Sequence, residues 1–137
     1  MLSIFEKPNC LLRLEGLAVF ILALAGYSHF SFGWGLFWST LLLPDLALLG
    51  YLINARIGAL TYNITHAKIL PCALALAALA LADDLLLSLA LIWFVHIGLD
   101  RMFGYGLKYP EGFKITHLGV IGQASNLKLG RYLPCTK

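Results

Sequence analysis

The sequence predicts an all-α integral membrane protein, a bundle of four transmembrane helices with the N- and C-termini on the cytoplasmic side. Of its 137 residues, 60% are hydrophobic and only 12% are charged, and the mean hydropathy is +0.82. Soluble domains carry about 25% charged residues. This chain therefore lacks the polar groups to cover its own surface, and we expect the lipid bilayer to surround it.

Four apolar stretches of transmembrane length follow one another along the chain, separated by short connectors. They cover approximately residues 11–27, 33–53, 57–81 and 85–105. A helix of about 20 residues crosses the hydrocarbon core of a bilayer. In lipid the backbone must satisfy its own hydrogen bonds, and the stretches show no barrel-like alternation, so each is predicted to be a helix.

The distribution of basic residues predicts the orientation of the spans. Lys7 and Arg13 lie at the start of the first span, Arg56 lies between the second and third, and Arg101 and Lys108 lie at the end of the fourth. The connector at 28–31 has no Lys or Arg. Because cytoplasmic connectors are enriched in these residues, both termini are predicted to be cytoplasmic. Residues 1–119 would form the transmembrane domain with a cytoplasmic surface loop, and 120–137 a cytoplasmic tail.

Other classes of protein are disfavoured by charge and cysteine content. The net charge of +3 is small, and basic residues beside a span are usually explained by topology and anionic lipid, so no nucleic-acid partner is expected. Cys10, Cys72 and Cys135 show no CxxC spacing. Their odd number and wide separation argue against a disulfide framework.

Ionisable residues within the spans are the main functional signal. An ionised group in hydrocarbon costs at least a few kcal/mol, so it usually faces the protein interior. With a rise of 1.5 Å per residue, five acidic or imidazole side chains are predicted to share one slab near the cytoplasmic leaflet: Glu15, Asp45, His66, His96 and Asp100. Pro44 and Pro71 are expected to interrupt their helices beside this slab, as helices lining a site often do.

Imidazole and carboxylate groups together suggest a divalent metal such as zinc, iron or manganese. The predicted ligands are Asp45, His66, His96 and Asp100. If the protein is an enzyme, the metal would activate water for hydrolysis-type chemistry on a lipid-like substrate. Glu15 or His117 would then handle the proton, and Arg101 would contact an anionic head group.

Three alternatives to a metal-dependent enzyme follow from the same sequence. In a structural network that locks the helices together, Asp45 or Asp100 would pair with Arg101, and His66 with Asn63 or a backbone carbonyl. In a b-type haem protein, His66 and His96 would be the axial ligands. A third possibility is a non-catalytic accessory subunit of a larger membrane complex, or a homo-oligomer, which the short loops and small size favour.

Several motifs carry a family resemblance that spans residues 12–119. They are LRLEGLAVF, LLPDLALLGYL, YNITHAKILP, HIGLDRMFGYGLKYP and GFKITHLG. With these motifs the chain resembles small bacterial membrane proteins catalogued as domain of unknown function 4260. The resemblance implies a four-helix architecture and a multi-pass location in the bacterial inner (cytoplasmic) membrane, but no particular activity.

A fainter similarity connects the chain to inner-membrane proteins regarded as metal-dependent hydrolases. Those proteins combine a Pro-Asp pair with scattered histidines and a His-x-x-x-Asp motif. The matching residues here are Pro44 and Asp45, His66, and His96 with Asp100. The chain departs from them in its short loops and in lacking a second acidic residue directly after Asp45.

Overall fold

The computed structural model describes residues 8–121 and contains four helical spans, each long and apolar enough to cross a membrane. The first span is α1 (Pro8–His29), and the second combines α2 (Trp34–Thr40) with a 3-10 helix (Leu43–Leu52). The third combines α3 (Ala55–His66) with α4 (Ile69–Leu81), and the fourth is α5 (Asp84–Phe103). The predicted all-α four-helix bundle is confirmed.

A small hairpin follows the fourth span. Strands β1 (Ile115–Thr116) and β2 (Gly119–Val120) pair antiparallel, and Lys108 forms an isolated bridge with Thr116. The surface loop that the sequence predicted after span four therefore folds back on itself. Most of the predicted tail at 120–137 lies outside the described residues, and the cytoplasmic placement of the termini stays a prediction.

Two of the spans are interrupted part-way along their length, as their prolines predicted. In span two, α2 stops at Thr40, and a 3-10 helix begins with Pro44 in its first turn. In span three, α3 stops at His66 because Ala67 has an extended backbone, and Pro71 lies in the first turn of α4. Proline is tolerated in the first turn because the N–H it lacks has no partner there. Each interruption leaves helix-end carbonyls available for side chains.

Helix α5 is the centre of the bundle. In its most apolar window 44% of residues are buried, against 11–17% in the other three spans. Two glycines let α1 approach it closely: a Cβ on Gly98 would lie 2.6 Å from the Phe20 nitrogen, and a Cβ on Gly16 would lie 2.8 Å from the Met102 nitrogen. Large apolar side chains such as Leu52 and Ile69 are exposed, as expected for surfaces that face acyl chains.

Candidate metal centre

Four ionisable side chains from three spans converge beside the two helix interruptions. Asp45 lies in the first turn of the 3-10 helix, and His66 is the last residue of α3. His96 and Asp100 are four residues apart in α5 and so share one face of that helix. One nitrogen or oxygen atom from each of the four lies within 4.8 Å of the other three. We call these four residues the His/Asp cluster.

The distances within the cluster resemble those between the ligands of a metal ion. His66 Nε2 lies 3.1 Å from His96 Nε2 and 3.4 Å from both Asp45 Oδ1 and Asp100 Oδ2. His96 Nε2 lies 3.5 Å from Asp45 Oδ1 and 3.9 Å from Asp100 Oδ2. An N–H···O hydrogen bond is normally 2.7–3.2 Å long, so the four carboxylate distances are too long for good hydrogen bonds. Metal–ligand bonds of about 2.0–2.1 Å in tetrahedral geometry separate the ligands by about 3.3 Å.

His66 is held in the orientation that a metal ligand requires. Its Nδ1 lies 3.0 Å from the carbonyl oxygen of Tyr62. The Thr65 hydroxyl, which can donate or accept, lies 2.9 Å from the same nitrogen. In the neutral tautomer with its proton on Nδ1 both contacts are satisfied, and the lone pair of Nε2 points into the cluster. The Tyr62 ring stacks on the imidazole with centroids 3.7 Å apart. A ligating histidine is typically fixed by a partner on its other nitrogen.

Tyr62 also positions the second carboxylate. Its hydroxyl donates a 3.0 Å hydrogen bond to Asp100 Oδ2, and the residue is 3% exposed. One side chain therefore contacts both a histidine and an aspartate of the cluster. Tyr62 precedes His66 by about one helical turn, but the sequence did not assign it to the site.

The carbonyls that are freed where span three is interrupted accept hydrogen bonds from α5 and anchor it. Trp93 Nε1 donates a 2.7 Å hydrogen bond to the Thr65 carbonyl, which would bond within the helix if α3 continued. Arg101 Nη2 donates a longer bond of 3.4 Å to the His66 carbonyl. These contacts fix the height of His96 and Asp100 relative to His66. The broken helix is thus part of the construction of the site.

The cluster is buried on its imidazole side and more open on its carboxylate side. His66 and His96 are 2% and 3% exposed, whereas the Asp45 side chain is 38% exposed and that of Asp100 is 22% exposed. A ligand or substrate would therefore reach the cluster past the carboxylates, mainly past Asp45.

No basic side chain neutralises the two carboxylates directly. Across residues 8–121, every basic side-chain nitrogen within 4.0 Å of the Asp45 or Asp100 carboxylate belongs to a histidine of the cluster. The ion pair with Arg101 that the structural-network alternative predicted is absent from this part of the chain. Arg101 instead contacts His117, with Nη1 3.1 Å from Nε2.

The surface loop is clamped to α3 beside the cluster. The Asn63 side chain donates to the Lys108 carbonyl at 2.8 Å and accepts from the Lys108 backbone N–H at 2.7 Å. The Lys108 side chain is 4% exposed, and its Nζ lies over the Phe113 ring and 4.6 Å from the centre of the Tyr62 ring. Burial lowers the pKa of Lys108. The sequence did not predict this buried lysine, because a basic residue after a span usually reaches the lipid head groups.

His117 is tied into the same loop in its neutral form. The Leu107 backbone N–H donates to Nδ1 at 2.8 Å, which requires that nitrogen to be unprotonated. Desolvation, followed by the positive charge of Arg101, lowers the pKa of His117 below its ordinary value. The lone pair on Nδ1 already accepts the Leu107 N–H, so His117 could take up a proton there only by giving up this bond. Its role as a general base stays a prediction.

Acidification is expected to weaken the docking of this loop. Since the pKa of His117 is lower in the folded state than in the unfolded state, the stabilisation is complete above the ordinary value of about 6.5 and is lost as the pH falls below it. Titration by NMR should show the lowered pKa, and Arg101→Gln should raise it. Arg56→Gln, which removes an exposed cation, is the control. An unchanged His117 titration in Arg101→Gln would show that the Arg101 charge does not act on the imidazole.

Glu15 does not join the cluster. It is exposed on α1 and is not one of the four residues whose ligand atoms come together. Helical rise predicts the height of a residue in the bilayer but not the direction of its side chain, which is why the shared depth was misleading here. A role for Glu15 in proton transfer stays a prediction.

The haem alternative does not fit the geometry. Axial nitrogens on opposite sides of an iron are separated by twice a metal–nitrogen bond of about 2 Å, or about 4 Å, with the macrocycle between them. The Nε2 atoms of His66 and His96 are only 3.1 Å apart. A porphyrin would fit between these two nitrogens only if the rings moved apart, and the haem alternative stays a prediction.

Comparison with known proteins identifies a family but no characterised relative. No curated protein and no solved structure matches the chain, and the fainter similarity to metal-dependent hydrolases finds no support among these comparisons. One family, described as a domain of unknown function (DUF4260), matches residues 9–121. This match covers most of the 137 residues, and the chain therefore belongs to the DUF4260 family.

Proposed function

We propose that the His/Asp cluster binds one divalent metal ion, which is zinc, iron or manganese, within the inner leaflet of the bacterial cytoplasmic membrane. The observation that carries this proposal is the spacing of the four ligand atoms. Five of their six separations are 3.1–3.9 Å, which matches the edges of a metal coordination shell better than a hydrogen-bonded network.

Charge balance supports the same assignment. Two ionised carboxylates beside two buried imidazoles, without a Lys or Arg partner, would be unfavourable within the hydrocarbon region of a membrane. A divalent cation bound by two carboxylates and two neutral imidazoles gives a site with no net charge. Both imidazole and carboxylate are common ligands of zinc, iron and manganese.

The metal would serve hydrolysis-type chemistry on a lipid-like substrate. In such a reaction the water oxygen bonds to the electrophilic carbon or phosphorus, the bond to the leaving group breaks, and the leaving group takes the proton. No redox partner is needed. Four ligands fill a tetrahedral shell, so a reactive water requires five- or six-fold coordination. Arg101 would contact an anionic head group, and His117 beside it would accept the proton at Nδ1 after releasing the Leu107 N–H.

Metal analysis of the purified protein is the direct test. We expect about one zinc, iron or manganese ion per chain after purification in mild detergent. Replacement by cobalt then reports the coordination number, because five- or six-coordinate cobalt absorbs visible light weakly and tetrahedral cobalt absorbs it strongly. Weak bands support the hydrolytic role, and strong bands restrict the metal to a structural one. A protein that binds neither its native metal nor cobalt would end the proposal.

A further inference from the structure

An apolar cavity of about 270 Å³ lies next to the His/Asp cluster. Its walls come from spans two, three and four and include Thr40, Leu43, Leu74, Leu89, Ile92 and Trp93. Pro44 and Thr65 complete the wall, and they directly precede Asp45 and His66 in the sequence. Trp93 lies about one helical turn before His96. The cavity and the cluster are therefore built on the same two helix interruptions.

The polar groups of the cavity wall already have partners within the protein. The Thr40 hydroxyl donates to the Leu36 carbonyl at 2.8 Å. The Thr65 hydroxyl lies 3.1 Å from the Tyr62 carbonyl and 3.2 Å from the Pro44 carbonyl, and the Trp93 N–H bonds to the Thr65 carbonyl. Buried water needs two to four polar partners. With its donors in use, the cavity suits an apolar occupant better than water.

The surroundings of the cavity point to an occupant from the bilayer. Leu43 is 52% exposed, so the wall continues into the lipid-facing surface of span two. Pockets for whole drug-sized ligands measure about 300–1,000 Å³. A cavity slightly below that range suits a segment of one alkyl chain and is too small for a complete lipid.

We propose that this cavity binds an acyl chain of the substrate. The inference rests on the proposed metal function and specifies its substrate as an anionic amphiphile. Along α5 the order is Leu89 to Trp93 at the cavity, His96 and Asp100 at the cluster, and then Arg101. A substrate with its acyl chain in the cavity and its anionic group at Arg101 would place the bond between these two parts beside the metal.

Photolabelling in a membrane tests where acyl chains bind. The protein is reconstituted in vesicles of phosphatidylethanolamine and phosphatidylglycerol that contain a trace of phosphatidylglycerol with a diazirine in one acyl chain. After irradiation, labelled residues are identified by mass spectrometry. We expect stronger labelling at Leu89, which lines the cavity, than at Leu79, which is 67% exposed on the surface of α4.

Cavity-filling variants provide the comparison. Leu74→Trp should decrease the labelling of Leu89 about tenfold. This is the loss of affinity expected when about two methylenes of the acyl chain can no longer be buried. Leu79→Trp adds the same ring to the exposed face of the same helix and should leave the labelling of Leu89 unchanged. Leu89→Phe is a second, smaller filling variant, read out by labelling at Ile92, in case Leu74→Trp does not fold.

The outcomes separate the two proposals. Leu89 labelling no stronger than that of Leu79, or unaffected by filling the cavity, would overturn the acyl-chain inference. Metal content is measured on the same samples. Bound metal without cavity labelling removes only the acyl-chain inference, whereas cavity labelling without metal removes the proposed metal function and leaves a lipid site.

Discussion

Replacing His96 by alanine is expected to abolish stoichiometric metal binding. His96 contributes a buried imidazole whose Nε2 lies 3.1–3.9 Å from the other three ligand atoms. Loss of a partner that merely orients a metal ligand typically weakens metal affinity 10–100-fold, and loss of a ligand should exceed that range. We therefore expect the affinity of His96→Ala to fall more than about 100-fold, measured by metal analysis after dialysis and by calorimetric titration.

The matched control is His29→Ala. His29 is an exposed histidine at the end of α1 and is not in the cluster, so its replacement should leave one metal per chain. This control separates specific ligation from adventitious binding by imidazole groups or by a purification tag. Equal metal content in wild type and His96→Ala would contradict the assignment of His96 as a ligand.

Thermal stability gives a second reading of the same variant. A ligand that binds only the folded state stabilises it by an amount that grows with the logarithm of ligand concentration. A chelator should therefore lower the Tm of the wild type and leave that of His96→Ala unchanged. A structural network without metal predicts another pattern, in which the variant is less stable but the chelator affects neither protein.

The architecture could be predicted from the sequence because the bilayer restricts the choices. Span length, backbone hydrogen bonding and the positions of Pro44 and Pro71 indicated four helices, two of them interrupted, and the structure has these features. The convergence of Asp45, His66, His96 and Asp100 followed from their shared depth along the spans. His96 and Asp100 share a face by their spacing, and the charged groups had strong physical reasons to avoid lipid.

Other parts of the site were not predictable because they depend on direction and on tertiary contacts. Glu15 has the right depth but is exposed, since depth does not fix the rotation of α1 about its axis. The bond from Trp93 to the Thr65 carbonyl and the clamp between Asn63 and Lys108 join residues 28 and 45 positions apart. Helical periodicity relates only residues a few positions apart, so it does not reveal such pairs. Apart from Pro44, nothing in the sequence indicated that the Leu43–Leu52 segment would be a 3-10 helix.

Tyr62→Phe tests whether the cluster is organised for a metal or is only a packed polar group. Phenylalanine keeps the ring that stacks on His66 at 3.7 Å and removes the hydroxyl that donates to Asp100. Because such orienting partners typically contribute 10–100-fold to metal affinity, we expect a loss in that range, measured by competition with a chelator of known affinity. The fold should persist, since the change removes one oxygen atom from the buried ring.

Tyr27→Phe is the matched control for the Tyr62 variant. Tyr27 is also a buried tyrosine of the bundle, and its hydroxyl donates to the Gly33 carbonyl at the connector between the first two spans, in contact with the aromatic rings there and away from the cluster. Its loss should decrease stability by about 1 kcal/mol without changing metal affinity. If both variants change stability alike and neither changes metal affinity, Tyr62 is a packing residue. A selective effect at Tyr62 would mean that Asp100 coordinates the metal through the oxygen that this hydroxyl orients, so the second carboxylate belongs to the metal centre.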